Sequence, residues 1–357
     1  MTMPLLDKPI GIRAANLADA GERAAIDAYV RAHIDATPFH LTGWSVGVAR
    51  GCGQRAHYLV AEQADGAIAG VLPLTEIRSA LFGRALVSAG FGVGGGILAD
   101  AEAPAAALAQ SAWDLAQRRG CPSLELRGGP VPAGDWQMDD TTYLGFVRDL
   151  AADDEAELLA IPRKQRAEVR KALGNGLAIR IGRHHDNLKA HYAVYAESVR
   201  NLGTPVFPAR LFRSVLSEFG ESADILVVSA KGRPVASVLS LYMNGTVYPY
   251  WGGGTAEARA LRANDAMYFE LMRHARERGC TRFDFGRSKT GTGAAAFKRN
   301  WGFEGVSLPY ARRVAPGAAA RDTNPNSAKY RAMVAGWRKL PLPVANLAGP
   351  FIARGLG

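Results

Sequence analysis

The residues able to do chemistry are concentrated between Tyr248 and Phe303. Tyr248, Tyr250 and Trp251 lead into Gly252-Gly253-Gly254, expected as a flexible turn whose backbone a ligand can approach closely because no Cβ intervenes. Arg259 and Arg262 follow, then Asn264 and Asp265, either of which could cap a helix. A helix start beside two arginines is suited to binding an anion. Further on, Arg287, Ser288, Lys289 and Lys298 have no acidic run beside them. Clustered cations favour a visiting anion, although solvated surface cations are the plainer alternative. Phe297 and Trp301 stand at i and i+4, so they can anchor one face of a turn. Lys298 is then expected to project into a cleft lined by Tyr250, Gly252, Arg287 and Lys289. A second cationic group, Arg163, Arg166, Arg170 and Lys171, recurs at helical spacing. Guanidinium forks there suit a phosphate or pyrophosphate; a solvated helix face is the other reading.

The elements that must position these residues are a strand over Thr246–Trp251, a helix over Ala266–Arg278 and a buried strand beyond Gly279-Cys280. Tyr268, Leu271, Met272 and Ala275 give the helix one apolar face. The same order occurs earlier: Ala85–Phe91, Gly94-Gly95-Gly96, a helix Pro104–Arg119 and a strand Ser123–Arg127. Ala116-Gln-Arg-Arg-Gly-Cys answers Ala275-Arg-Glu-Arg-Gly-Cys at an offset of 279 − 120 = 159 residues. Hairpins over Tyr58–Ile77 and Ile225–Tyr242 match as well, the second turning at Lys231-Gly232. So long a period implies duplicated α/β domains. We expect one domain over 1–150, with Thr141–Leu150 returning across its sheet, a second over 151–313, and a linker and tail over 314–357. Residues 10–150 and 177–313 should superpose, with Gly94–Gly96 over Gly252–Gly254.

Composition narrows the class. The 357 residues suit about two domains, and no run reaches the roughly 20 apolar residues of a membrane span. The start, Met-Thr-Met-Pro-Leu-Leu-Asp-Lys, has no signal-peptide pattern, so a cytoplasmic location is expected. Cys52, Cys121 and Cys280 fit no metal spacing, and His184-His185 lacks a third ligand, so no metal is expected. The net charge of +10 favours anionic partners, with a generally basic background as the equal alternative, and Lys329–Lys339 is a candidate for a short basic helix. Beyond it, Pro341–Arg354 mixes apolar residues with breakers, which suits packing on a domain or peripheral contact with a membrane or partner.

Together, Pro162-Arg-Lys-Gln-Arg-Ala-Glu-Val-Arg-Lys-Ala172, Ala236-Ser-Val-Leu-Ser-Leu-Tyr242, Tyr250-Trp-Gly-Gly-Gly254, Arg282-Phe-Asp-Phe-Gly-Arg-Ser-Lys289 and Phe297-Lys-Arg-Asn-Trp-Gly-Phe303 resemble the FemAB-like branch of the GNAT superfamily. The narrower resemblance is to FemAB-related proteins associated with PEP-CTERM/exosortase systems. It implies an α/β (α+β) fold of two tandem GNAT-like domains, each a mixed twisted sheet flanked by helices. It also implies transfer of an acyl or aminoacyl group, from acyl-CoA or aminoacyl-tRNA, to an amine of a cell-envelope or exopolysaccharide precursor. The acceptor would be a small molecule or lipid-linked glycan, with tRNA a possible partner, at or near the inner membrane. Lys298 carries over as the motif lysine, able to hold a phosphate or donate to an oxyanion. Tyr248, Tyr250 and Asp284 are the candidates for proton acceptor beside substrate assistance, and Asp284, on the strand face opposite Phe283 and Phe285, has a structural role as its alternative. Trp251, Gly252, Gly253, Gly254, Arg259, Arg262 and Asn264 would face the donor, and Arg166, Arg170, Tyr248, Arg287, Ser288 and Lys289 the acceptor. Arg259-Ala-Leu-Arg-Ala-Asn keeps the arginine of the acetyl-CoA signature without its glycines. In the first copy, Asp100 and Glu102 would repel a phosphate, which makes the second copy the chemical half and the first acceptor-binding or structural. A reading from another class is a non-catalytic accessory protein that keeps the fold for binding within an envelope-polymer assembly.

Overall fold

The computed structural model describes residues 10–318 and 328–357, the first five of the latter by backbone alone. They divide into two compact units, one within Met1–Asp139, Pro309–Asp322 and Gly355–Gly357, the other within Asp140–Leu308 and Thr323–Arg354. The first unit's strands are β1 (Gly11–Ala14), β2 (Arg55–Glu62), β3 (Ile68–Ser79), β4 (Gly83–Ser88), β5 (Leu98–Ala99), β6 (Ser123–Arg127) and β7 (Gln137–Asp139). Its helices are α1 (Ala20–Ala32), α2 (Thr42–Cys52) and α3 (Glu102–Arg118). The apolar face of α3, with Leu108, Ala112, Trp113 and Ala116, is buried with Leu72 and Leu74 of β3. This is the usual way a half-apolar helix and a sheet remove both faces from water.

The second unit contains β8 (Tyr143–Asp149), β9 (Ala178–Gly182), β10 (Ala223–Ala230), β11 (Arg233–Met243), β12 (Thr246–Gly254), β13 (Arg282–Lys289) and β14 (Gly305–Ser307), and β15 (Tyr310–Val314) follows it. Its helices are α4 (Asp154–Ala160), α5 (Arg163–Leu173), α6 (His185–Leu202), α7 (Ala209–Phe219), α8 (Ala258–Leu261), α9 (Ala263–Glu277), α10 (Gly293–Asn300), α11 (Ala328–Lys339) and α12 (Leu342–Ala353). The strands β10, β11 and β12 are joined by two-residue turns at Lys231-Gly232 and Asn244-Gly245, all four residues having positive φ. Such turns match the twist of antiparallel strands, and glycine takes their second position without strain. On one face of the sheet, Met267, Leu271, Met272 and Ala275 of α9 join Val238, Val247, Phe283 and Phe285 in the core. The other face carries α6.

Both sheets have one plan. The first runs β1-β2-β3-β4-β6-β15-β7, with β5 on β3; the second runs β9-β10-β11-β12-β13-β8-β14. In each, the fourth and fifth strands are parallel and the fifth and sixth antiparallel. The repeat is therefore real, but its sixth strand is exchanged in the sequence. Thr141–Leu150, expected across the first sheet, lies between β13 and β14 in the second as β8, while β15 takes that place in the first. A sequence pattern reports that a strand is half-buried, not which sheet supplies its partners. Of the linker and tail expected over 314–357, residues 319–327 lie outside the described residues.

The glycine runs do not share a conformation. Gly94–Gly96 lie in a loop, with Gly94 at φ 71°. Gly252–Gly254 continue β12, opposite Val238, Ser237 and Ala236, and form no turn. Their need for glycine is packing: a Cβ on Gly253 would fall 2.2 Å from Ser198 Oγ, and one on Gly254 2.6 Å from the Ala258 Cβ.

Candidate active site at the diverging strands of the second unit

The strands β12 and β13 pair only at Thr246–Arg282 and Val247–Phe283. Parallel strands that part after two residues leave an opening in the sheet, and Tyr248 and Asp284 are the next residues on its two sides. Asp284 Oδ1 accepts the Gly286 N–H at 2.8 Å. Burial pushes the Asp284 carboxyl up to about 6, against that hydrogen bond and the charges of Lys298 and Arg282. Burial, then the charge of Asp284, raises the phenol of Tyr248. A carboxylate poised near neutrality can take a proton and release it again.

The repeat supplies a contrasting residue. Glu125 of β6 stands 284 − 125 = 159 positions before Asp284, the offset of the duplication. Opposite Glu125 is Arg312, and two residues on is Arg127; their guanidinium groups donate to it at 2.7 and 2.8 Å. Burial would raise Glu125, but the charges and hydrogen bonds of these arginines hold it down at about 2. At the matching places beside Asp284 stand Val147 and Gly286. One carboxylate is locked as an ion pair, and the other has lost both partners. Val147 is not legible as the partner of Asp284 while β8 is expected in the first sheet; Gly286 lies within the Arg282–Lys289 motif, and carrying the 159-residue offset past Cys280 points to it.

On the α9 side of β12, the helix starts at Ala263, with Arg262 at its cap in the left-handed region and no side-chain cap bond. Neither Asn264 nor Asp265 caps it. Gln165 donates to Asp265 at 2.6 Å, and Asn264 lies within the first turn, facing the end of β12. Its Oδ1 is buried without a hydrogen-bond partner, as is Thr255 Oγ1, and a Cβ on Gly254 would come within 2.7 Å of it. Arg259 is exposed nearby, whereas Arg262 is ion-paired to Glu168 of α5. An uncapped helix start, an exposed arginine and an unsatisfied amide oxygen fit a donor bearing phosphates and amide N–H groups.

Residues 162–299 match the family model described as acetyltransferase (GNAT) domain. That span covers α5 to α10 of the second unit, including the diverging strands. The structure titled FemX is similar over 84% of this chain and 96% of its own, at a TM-score of 0.65 and 16% identity. The C-terminal domain of a putative lysylphosphatidylglycerol synthetase from Agrobacterium fabrum is similar over 83% and 92%, at 0.57 and 15%. A tandem GNAT protein from the clavulanic acid biosynthesis pathway is similar over 87% and 100%, at 0.53 and 13%. At these identities the likeness is one of fold: two mixed sheets flanked by helices, as in tandem GNAT structures. No curated protein matches the chain.

Several expected site residues of this GNAT-like unit are placed differently. Lys298 is buried on α10, and its ammonium donates to the carbonyls of Gly286 and Arg287 at 3.0 and 2.9 Å, over the rings of Phe146 and Phe285. It is anchored at β13 and not directed at Gly252. Burial lowers its amine to about 8, opposed by the charge of Asp284. The carbonyls are available because β13 bulges between Asp284 and Arg287, with Gly286 at φ 68°. Trp251 packs edge-on against Phe212 at 5.0 Å and belongs to an aromatic cluster with Phe207 and Tyr250. Arg287 and Lys289 both lie over the Tyr143 ring, while Ser288 is buried with an unpartnered Oγ. On α5, Arg166 donates to the Ile161 carbonyl and Arg170 is exposed, so the cationic stripe is only partly open to a ligand.

Proposed function

We propose that the chain is an N-acyltransferase or aminoacyltransferase whose proton acceptor is Asp284. The observation that carries this reading is the contrast between Asp284 and the arginine-locked Glu125 at matching positions of the repeat. A bound acyl-CoA or aminoacyl-tRNA would supply the activated carbonyl as a thioester or ester. The start of α9, Arg259, Asn264 and Thr255 would bind the donor beside β12. The acceptor amine would approach between Tyr248 and Asp284, with Arg287 and Lys289 near its anionic parts. As the amine nitrogen bonds to the carbonyl carbon, Asp284 takes its proton, and the C–S or C–O bond then breaks.

The acceptor we propose is an amine of a cell-envelope or exopolysaccharide precursor, as the resemblance to FemAB-related proteins of PEP-CTERM/exosortase systems implies. The likeness to a protein named for lysylphosphatidylglycerol is consistent with a lipid-linked acceptor. The test is single-turnover transfer from radiolabelled acyl-CoA and from charged tRNA to a panel of amine acceptors, comparing wild type with Asp284→Asn. We expect a loss of roughly 10²–10⁴-fold. Wild-type transfer by the variant would remove Asp284 from the chemistry, and binding of donor without transfer by either protein would favour the accessory reading.

A further inference from the structure

Helix α12 has two unlike faces. Ala345, Gly349 and Ala353, at i, i+4 and i+8, are buried. Their small size brings the helix close to its support, and a Cβ on Gly349 would meet Val206 at 3.0 Å. On the other side Val344, Leu347 and Phe351 are 48, 74 and 67% exposed. Their spacing of i, i+3 and i+7 makes one stripe. The helix contains no charged residue, and Asn346 is its only polar side chain other than backbone. A surface helix ordinarily turns a charged face to water; this one turns three large apolar side chains outward.

The stripe is bounded by cations. Arg338 and Lys339 are exposed just before the helix and Arg354 just after it. From Thr323 to Gly357 the sequence has five lysines and arginines and no aspartate or glutamate. Twelve residues at 1.5 Å each give about 18 Å, too short to cross a bilayer, and no helix among the described residues is long and apolar enough to do so. An apolar stripe between basic ends matches the boundary between acyl chains and anionic headgroups. A second copy of the chain fits less well, because a symmetric pairing would bring two basic rims together.

We propose that the outer face of α12 lies on an anionic lipid bilayer, with Leu347 and Phe351 inserted among the acyl chains and Lys339 and Arg354 on the headgroups. The inference does not depend on the transferase reading and applies equally to a non-catalytic chain. It is tested with the full chain by co-sedimentation with sucrose-loaded vesicles, either pure phosphatidylcholine or containing 30% phosphatidylglycerol. We expect binding to the anionic vesicles that weakens with added salt. Leu347→Ser with Phe351→Ser should lower the partition coefficient at least tenfold with an unchanged melting curve, since both side chains are exposed. Lys339→Gln with Arg354→Gln should remove the preference for phosphatidylglycerol. Absence of wild-type binding, equal binding to both vesicles, or an undiminished apolar double variant would overturn the proposal. So would a wild-type dimer in light scattering that the apolar double variant abolishes, since a second copy would then cover the face.

Discussion

The ammonium of Lys298 lies 2.9 Å from the backbone carbonyl of Arg287 and closes the bulge that carries Asp284 at its start. With Gly286 O as its second acceptor, the lysine holds β13 in shape from the core side. Lys298→Met would leave two buried carbonyls without their donor, so we expect a loss of roughly 1–3 kcal/mol in stability. Turnover should fall with it, and the acid limb of the pH–rate profile should move because a positive charge near Asp284 is gone. Urea unfolding and a pH profile of the variant test this; wild-type stability with selectively lost turnover would restore Lys298 as a direct oxyanion donor.

Asp284 gives the pH dependence a sign. Its carboxyl titrates near 6 in the folded chain and near 4 when unfolded. Transfer should therefore fall as pH drops through about 6, as Asp284 becomes protonated. Stability should show the opposite trend: the folded state loses the advantage of this group as pH rises from 4 to 6 and lacks it above. Asp284→Asn should then raise the melting temperature at pH 8 and leave it nearly unchanged at pH 4. A variant less stable than wild type at pH 8 would contradict the burial argument.

Glu125 should behave in the reverse sense. Its carboxyl lies near 2 in the folded chain, so its stabilising contribution is complete above about 4.5 and is lost as pH falls through 2. Glu125→Gln at pH 7 leaves Arg127 and Arg312 without their anion, and we expect a destabilisation of roughly 2–4 kcal/mol. Chemical denaturation at pH 7 and at pH 3 would show the difference shrinking in acid, and transfer per folded molecule should hold.

Gly253 is constrained by Ser198 of α6, whose Oγ would lie 2.2 Å from an added Cβ. Gly253→Ala should cost about 1–3 kcal/mol through overpacking. A double-mutant cycle with Ser198→Gly should show a coupling of at least 0.5 kcal/mol, because the serine is what the new methyl meets. Additive effects would mean that the glycine serves some purpose other than this contact.

On the donor side, Arg259→Ala should weaken acyl-CoA binding severalfold, and the coenzyme should protect the amides around Ala263 from hydrogen exchange. Charged tRNA binding with a steep dependence on salt, and no effect of the coenzyme on exchange, would assign the aminoacyl route instead.

The sequence alone determined the repeat, the hairpin at Lys231-Gly232, the apolar face of α9 and the Fem-like motifs, because each depends on spacing or on a residue's own backbone preference. It also singled out Tyr248 and Asp284, the residues that follow the last pair between β12 and β13. It did not determine which sheet β8 joins, that Gly252–Gly254 extend a strand, or where the Lys298 ammonium points. Strand alternation is the same whichever sheet provides the partner, and glycine permits both a turn and a closely packed strand. The difference between Glu125 and Asp284 was hidden for the same reason. It depends on what stands opposite each carboxylate, Arg312 across from Glu125 and Val147 across from Asp284, on strands exchanged between the two halves of the chain; tertiary pairing, acting through burial and charge, made one an ion pair and the other a group that can carry a proton.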